Sequence, residues 1–357
     1  MRQIQLTKRP QASKLFAALS PLLAFALTLI AGAIIFWLND KPPAQAIYMY
    51  FIEPLIAEWS LHDLAIKAAP LIMIGVGLAV CYRANAWNIG AEGQFVVGAI
   101  VGSLVPIFWP DFQSPLTLPL MLLLGALGGA LFAAIPAWLK VRMNTNEILT
   151  SLMLVYVAQL LLDWLARGPL RDPNGFNFPQ SITFSDAATL PEILPSSGAT
   201  HYGFLLAIIV AIVAWFVLEK TRAGFQVRVV GASPRAGKFG GFSGSKLFIV
   251  AFMISGALAG MAGISEVSGA IGHMQPIISP GYGFTAIIVA FLGRLNPLGV
   301  VASGLVLALT YIGGEGVQMM MGVSDKVVRV FQGLLLFFVL ACDTLIHYKV
   351  TISKGRG

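Results

Sequence analysis

The sequence predicts an all-α polytopic membrane protein of about ten transmembrane helices, with both termini in the cytoplasm. Two observations carry this prediction. Of the 357 residues, 57% are apolar and only 11% are charged, whereas a soluble domain carries roughly 25% charged residues. The lysines and arginines also concentrate in every second loop between the apolar segments, as in multi-pass membrane proteins.

Ten apolar segments are predicted to be membrane spans. The first is longer than the ~7–15 apolar residues of a signal peptide and lacks a cleavage site, so we expect it to be retained. The eighth is too short to cross alone and follows Pro276 and Pro280, which predicts a broken or re-entrant helix. The predicted spans are 15–38, 66–82, 93–109, 116–139, 147–166, 202–218, 247–270, 282–293, 297–314 and 327–346.

The basic residues set the predicted orientation. Ten spans that alternate from a cytoplasmic N-terminus place seventeen of the 23 lysines and arginines inside and six outside. This asymmetry favours cytoplasmic termini and an even number of spans, and it explains the net charge of +7 without a nucleic acid partner. We expect one transmembrane domain over 1–357, with a cytoplasmic tail at 1–14, an external loop at 167–201 and a cytoplasmic loop at 219–246.

Glycines recur at four-residue spacing within three spans, which predicts close packing of helix backbones. Segment 125–131 is similar to segment 256–262, either through internal duplication or through a shared packing composition. The glycine pairs are Gly98 and Gly102, Gly125 and Gly129, and Gly256 and Gly260.

The loop at 219–246 is longer than a simple connection requires. Ser233 is a good N-cap, Pro234 suits the first helical position and Gly240 follows, so a short helix is predicted over Pro234–Phe239. A capped basic helix suits docking into a groove on a cytosolic partner. A basic loop that lies on anionic lipid headgroups is the alternative.

Polar residues within or beside the spans form a candidate solute path, because amides and carboxylates suit hydroxyls and ring nitrogens. The alternative for each residue is helix capping or hydrogen bonding between helices. Asn144 and Glu147 in particular fit a capping box at the start of span five. The candidates are Asn88, Glu92, Gln94, Asn146, Glu147, Gln159 and Glu266.

The sequence contains no catalytic or metal-binding pattern. The four histidines are scattered, and Cys81 and Cys342 lie in apolar runs, where cysteine acts as a small core residue. A glycine-rich segment before Lys238 lacks the Ser or Thr that a phosphate-binding loop needs for Mg²⁺. We therefore expect no cofactor and no enzymatic activity, with any ATP hydrolysis in a separate subunit.

One polar run carries a family resemblance. The run Asn88-Ile-Gly-Ala-Glu-Gly-Gln94, after a span that ends in Tyr82-Arg83-Ala84, resembles the permeases of bacterial ABC importers for nucleosides and simple sugars. Within the branched-chain amino acid and ribose-type superfamily, it is most similar to the subgroup that works with nucleoside-binding lipoproteins. Four further stretches resemble the family in the same order: 146–153, 231–236, 255–260 and 283–297.

The resemblance, over about residues 65–345, implies a type II-like importer permease in the bacterial plasma (inner) membrane. Its implied partners are a second, different permease chain, two cytosolic ATPase subunits and an external solute-binding protein. The residues that match the family's coupling helix, which docks on the ATPase, are Gly231, Ser233, Pro234, Arg235, Ala236, Lys238 and Phe239.

A nucleoside is the solute that the resemblance implies, with a pentose or other simple sugar as the alternative. The chain departs from the family at Ser233, where Asn is common, and at Leu154-Val155-Tyr156, where the family continues Leu-Asn-Tyr. An ion-coupled secondary transporter, with Glu92 or Glu266 as its carboxylate, is a second alternative. The predicted cytoplasmic helix argues against it.

Overall fold

A computed structural model describes residues 2–8, 14–193 and 200–354. Residues 1 and 9–13 of the predicted N-terminal tail, residues 194–199 of the predicted external loop and residues 355–357 lie outside the described residues. A helix lies at each of the ten predicted spans. The helices are α1 Lys14–Leu38, α2 Pro43–Phe51, α3 Glu53–Ile56, α4 Glu58–Arg83, α5 Ala91–Phe108, α6 Thr117–Met143, α7 Glu147–Arg167, α8 Gly203–Lys220, α9 Arg222–Ala232, α10 Pro234–Phe239, α11 Gly244–Glu266, α12 Tyr282–Leu292, α13 Pro297–Met321 and α14 Asp325–His347.

Within the described part of the chain, seven helices are long and apolar enough to cross a membrane. They are α4, α5, α6, α7, α8, α13 and α11 with the π-helical turn Val267–Ile271 that extends it. Helix α12 has 11 residues, a length of about 16 Å against a hydrocarbon core of about 30 Å. The predicted short eighth segment is therefore a half-length helix.

A two-stranded antiparallel ribbon departs from the all-helical expectation. Strand β1 (Arg2–Lys8) pairs with β2 (Tyr348–Lys354), so that Arg2 lies opposite Lys354 and Lys8 opposite Tyr348. The ribbon joins the first described residues of the chain to the last. The predicted N-terminal tail at 1–14 thus contains a strand.

The chain divides into two compact units. One consists of the segments up to Ser60 and from Leu309, in which α1 packs against α14. Its core includes Phe36, Tyr50 and Phe331, and the rings of the last two lie 4.8 Å apart.

The other unit, Leu61–Ala308, is built around α5, α6 and α11, which pack through glycine. A Cβ atom on Gly98 would lie 2.6 Å from the carbonyl oxygen of Gly260, and one on Gly260 would lie 3.0 Å from the Cα of Gly129. Five of the six glycines predicted from their spacing therefore meet one another, and Gly102 packs on Ile264 and Met121. Their prediction as packing positions is confirmed, and segments 125–131 and 256–262 are packing partners.

Candidate solute site and coupling loop

A closed hydrogen-bond network holds the polar run between α4 and α5. The Asn88 amide nitrogen donates to Gln94 Oε1 at 2.8 Å and to Ser255 Oγ of α11 at 3.0 Å. The Asn88 oxygen accepts from Gln94 Nε2 and from the Gly90 N–H, each at 3.0 Å. Asn88 and Gln94 are buried. All four hydrogen-bonding positions of the Asn88 amide are thus used within the protein.

Glu92 lies at the N-terminus of the half-length helix α12. Its Oε2 accepts a 2.6 Å hydrogen bond from the backbone N–H of Gly283, and the residue is only 2% exposed. A Cβ atom on Gly283 would lie 2.5 Å from the Cα of Glu92, so only glycine admits this close approach. Glu92 also lies in the first turn of α5. Two positive helix ends therefore stabilise one carboxylate.

Glu266, at the end of α11, contacts the same helix start. Tyr282, the first residue of α12, donates its hydroxyl to Glu266 Oε1 at 3.4 Å. The other carboxylate oxygen is buried and has no hydrogen-bond partner among the described residues. Lys67 of α4 acts on this carboxylate electrostatically. Sequence reasoning missed Tyr282 and Lys67, although the break before residue 282 was a usable signal.

The other predicted path residues lie away from this junction. Asn146 is the N-cap of α7, where its Oδ1 accepts from two backbone N–H groups at 3.0 and 3.4 Å. The capping box predicted from Asn144 is wrong, because Asn144 ends α6 in a left-handed conformation. Glu147 forms an ion pair with Lys140 at 2.9 Å. Gln159 is exposed near the middle of α7.

Three aromatic rings stack where α12 ends. The centroid of Tyr82 lies 5.3 Å from those of both Trp87 and Phe291. The Tyr82 hydroxyl donates to the backbone carbonyl of Asn88 at 3.0 Å. The stack therefore links the end of α4, the polar run and α12, and no sequence motif indicated it.

The helix predicted in the loop at 219–246 is present. Helix α10 has the predicted bounds, and Ser233 Oγ accepts from the Ala236 N–H at 3.3 Å. Arg235 and Lys238 are exposed, and Phe239 is 96% exposed. An exposed aromatic ring beside two cations suits a contact surface. The preceding helix α9 was not predicted.

One carboxylate ties this loop to the end of α4. Glu219 accepts from Arg83 through Oε1 and from Arg228 of α9 through Oε2, each at 2.6 Å. Gly231 of α9 packs so closely on the backbone carbonyl of Arg83 that a Cβ atom there would collide with it. These contacts connect α8 and α9 directly to the end of α4, from which the polar run follows.

The loop predicted at 167–201 packs on the far end of α11. Three of its backbone N–H groups donate to carbonyls of residues 268–274 at 2.8 to 3.0 Å. His201 is buried there, and its Nδ1 accepts from the Gly203 N–H at 3.1 Å. Burial lowers the pKa of His201 to about 4, so the imidazole is neutral at pH 7.

These features define a class of protein. Apolar helices pack through glycine, a half-length helix begins inside the second unit beside two carboxylates, and a capped basic helix projects from a loop. Discontinuous helices and intramembrane carboxylates mark transport proteins rather than structural anchors. The molecule is a multi-pass membrane protein with the elements of a transporter.

The chain belongs to the family described as "Branched-chain amino acid transport system / permease component", whose model matches residues 60–340. The predicted family resemblance is therefore confirmed. The chain is a transport subunit and not an enzyme, as predicted.

Curated relatives resemble the whole chain. It is 36% identical to the glucose ABC transporter permease protein TsgB13 of Haloferax volcanii, over 99% of this chain and 95% of that protein. It is 29% identical to the guanosine ABC transporter permease protein NupP of Bacillus subtilis, over 95% and 97% of the two chains. It is 26% identical to the nucleoside ABC transporter permease protein NupB of Lactococcus lactis, over 90% of each. The prediction of an ABC transporter permease is confirmed.

Proposed function

We propose that this permease imports a small, uncharged, polyhydroxylated solute, with a nucleoside as the first candidate. The observation that carries the proposal is that the N-terminus of α12 already binds a carboxylate of this chain. A free helix N-terminus inside a transporter attracts anionic groups of a substrate. Here the Glu92 carboxylate already occupies that position, bonded to the Gly283 N–H at 2.6 Å, so an anionic solute would meet a resident negative charge.

Glu266 is the group we propose to contact the solute. Its Oε2 is an acceptor without a partner among the described residues, and hydroxyl or ring N–H donors would satisfy it. Asn88 and Gln94 have little capacity left, so we propose that they hold the loop between α4 and α5. Asn146 and Glu147 are assigned to the start of α7.

The experiment is uptake by the complete importer reconstituted in liposomes with its binding protein. We expect ATP-dependent uptake of guanosine, no uptake of guanosine monophosphate, and a lower guanosine rate for Glu266→Gln. Equal uptake of the nucleotide would contradict the argument from Glu92. An unchanged rate for Glu266→Gln would remove that residue from the path.

A simple sugar is the second candidate. It is favoured by the 36% identity to a permease named for glucose, and a ribose ring and a hexose offer similar hydroxyl donors. Uptake of glucose and ribose in the same liposomes separates the two candidates. Sugar uptake without nucleoside uptake would replace the first candidate by the second.

We propose ten spans with both termini in the cytoplasm of the bacterial plasma membrane. Three pairings support an even count with this alternation. The ribbon of β1 and β2 needs both termini on one side. Arg83 and Glu219 follow the predicted second and sixth spans and form an ion pair. His62 and Thr200 precede the same two spans, and His62 Nδ1 lies 2.8 Å from Thr200 Oγ1 at their opposite ends.

Orientation is tested with single cysteines placed at Gln3 and at Lys41 in a Cys81→Ser, Cys342→Ser background. In intact spheroplasts an impermeant maleimide should label position 41 and not position 3. The reverse pattern would place the termini outside.

We propose α10 as the element that docks on a cytosolic ATPase subunit. Its two exposed cations and its exposed Phe239 support this role, and the contacts of the adjoining helix α9 with Arg83 offer a route into the membrane. Co-purification tests it: Arg235→Glu should lose the ATPase, whereas the matched reversal Arg142→Glu, at an exposed cation in the last turn of α6, should retain it. Loss in both variants, or in neither, would contradict the assignment.

A second permease chain, different from this one, is proposed to pack on α7. Gln159 is exposed in the middle of this helix, and an amide that faces lipid is costly unless another chain covers it. An external solute-binding protein would complete the importer.

A further inference from the structure

An elongated apolar cavity lies between α8, α9 and α11. Its volume is about 350 Å³, and every residue that lines it is apolar. On α8 the lining runs from Ile209 to Leu218, and on α11 from Leu247 to Leu258. At 1.5 Å per residue these stripes are about 14 to 17 Å long. The cavity therefore extends along the helix axes.

The cavity opens to the side, because the lining residues Ile209, Val213, Val250 and Ile254 are 41 to 55% exposed. Its lining offers apolar contacts along the whole length and no polar side chain. A single hydrocarbon chain has the right shape.

Three cations surround one end of the cavity. Lys220 ends α8, Arg222 begins α9 and Lys246 lies in the first turn of α11, each one or two residues from a residue that lines the cavity. All three are exposed. Lys220 lies 5.8 Å from the centroid of the Trp215 ring. The nearby carboxylate of Glu219 is already paired with two arginines.

In the described part of the chain, no carboxylate forms an ion pair with any of these three cations. Lysines and arginines at the edge of a membrane attract anionic lipid headgroups. An apolar slot with three cations beside one end suits a molecule that has an acyl chain and a phosphate group. We propose that this cavity binds one anionic phospholipid, with an acyl chain between α8 and α11 and its phosphate beside Lys220, Arg222 and Lys246.

The test uses the full chain in nanodiscs of phosphatidylcholine that contain a trace of phosphatidylglycerol with a photoreactive acyl chain. We expect cross-linked lipid on peptides that contain residues 209–218 and 247–258. The double variant Arg222→Gln, Lys246→Gln should lower the labelling roughly thirtyfold, since each of the two cations contributes to headgroup binding. The matched control Arg142→Gln, at an exposed cation on α6, should not change it.

A second pair of variants tests the slot itself. Val213→Trp fills the cavity and should abolish labelling, whereas Val157→Trp, at an equally exposed valine on α7, should leave it intact. Size-exclusion profiles check that all variants fold.

Three results would overturn the proposal. Equal labelling by a phosphatidylcholine probe would exclude headgroup selection. Labelling that is insensitive to Val213→Trp would place the lipid elsewhere. Protection by an added second permease would assign this face to a protein partner.

Discussion

The glycine contact between α5 and α11 supports a quantitative prediction for Gly98→Ala. The new Cβ atom would lie 2.6 Å from the carbonyl carbon and oxygen of Gly260, whereas ordinary contact begins at 3.4 Å. Both groups belong to the backbone of α11, and the Cα of Gly260 lies closer still, so no side-chain rotation relieves the overlap and the two helices must move apart. Such overpacking costs about 1–3 kcal/mol.

The substitution also has a favourable effect, because alanine stabilises a helix interior by about 0.5–1 kcal/mol relative to glycine. We therefore expect a net loss of about 1–2 kcal/mol. Gly316→Ala in α13 is the control, since a Cβ atom there has nothing within 4 Å and only the favourable effect remains. Thermal unfolding of the full chain in detergent, followed by size exclusion, should rank Gly316→Ala, wild type and Gly98→Ala in falling order. A Gly98→Ala protein that melts at or above the wild-type temperature would refute the reasoning.

Three further predictions concern buried or paired polar groups. Glu92→Gln removes the charge from the start of α12 and should lower the free energy of unfolding by about 1–3 kcal/mol in the same assay. An unchanged free energy of unfolding would show that the carboxylate does not cap α12. His201 is neutral when folded and has a lowered pKa, so stability should fall by about 2 kcal/mol from pH 7.5 to pH 5 as the unfolded chain takes up a proton. His201→Gln should flatten that dependence, and an unchanged slope would point to another group. Arg83→Gln leaves Glu219 with one partner and should speed hydrogen exchange over α9, whereas unchanged exchange would show that the ion pair does not hold the loop.

Features governed by local chemistry were predictable from the sequence. The short helix α10 follows from a Ser N-cap, a Pro at the first position and a Gly at the end, and each of these signals acts within a few residues. The spans follow from hydrophobic length, and the glycine spacing marks the helix faces that pack. The half-length of α12 follows from the prolines and glycines before it.

Features set by tertiary contacts were not predictable. Asn88 was a candidate for the solute path because it is polar and intramembrane, but its partner Ser255 lies 167 residues away in sequence. Asn144 and Asn146 both suit a cap, and only the backbone shows that the first ends α6 while the second begins α7. The pairing of Tyr282 with Glu266 depends on the packing of α11 beside α12, which no local pattern specifies.

The ribbon of β1 and β2 has a consequence for biogenesis. Its paired residues are 340 or more positions apart, so β1 has no partner until the last segment of the chain has been synthesised. Closing a flexible loop of that length would cost roughly 5 kcal/mol, and the inserted helices must therefore bring the two ends together first. A chain that stalls before residue 348 leaves the N–H and C=O groups of β1 without the partners that β2 supplies.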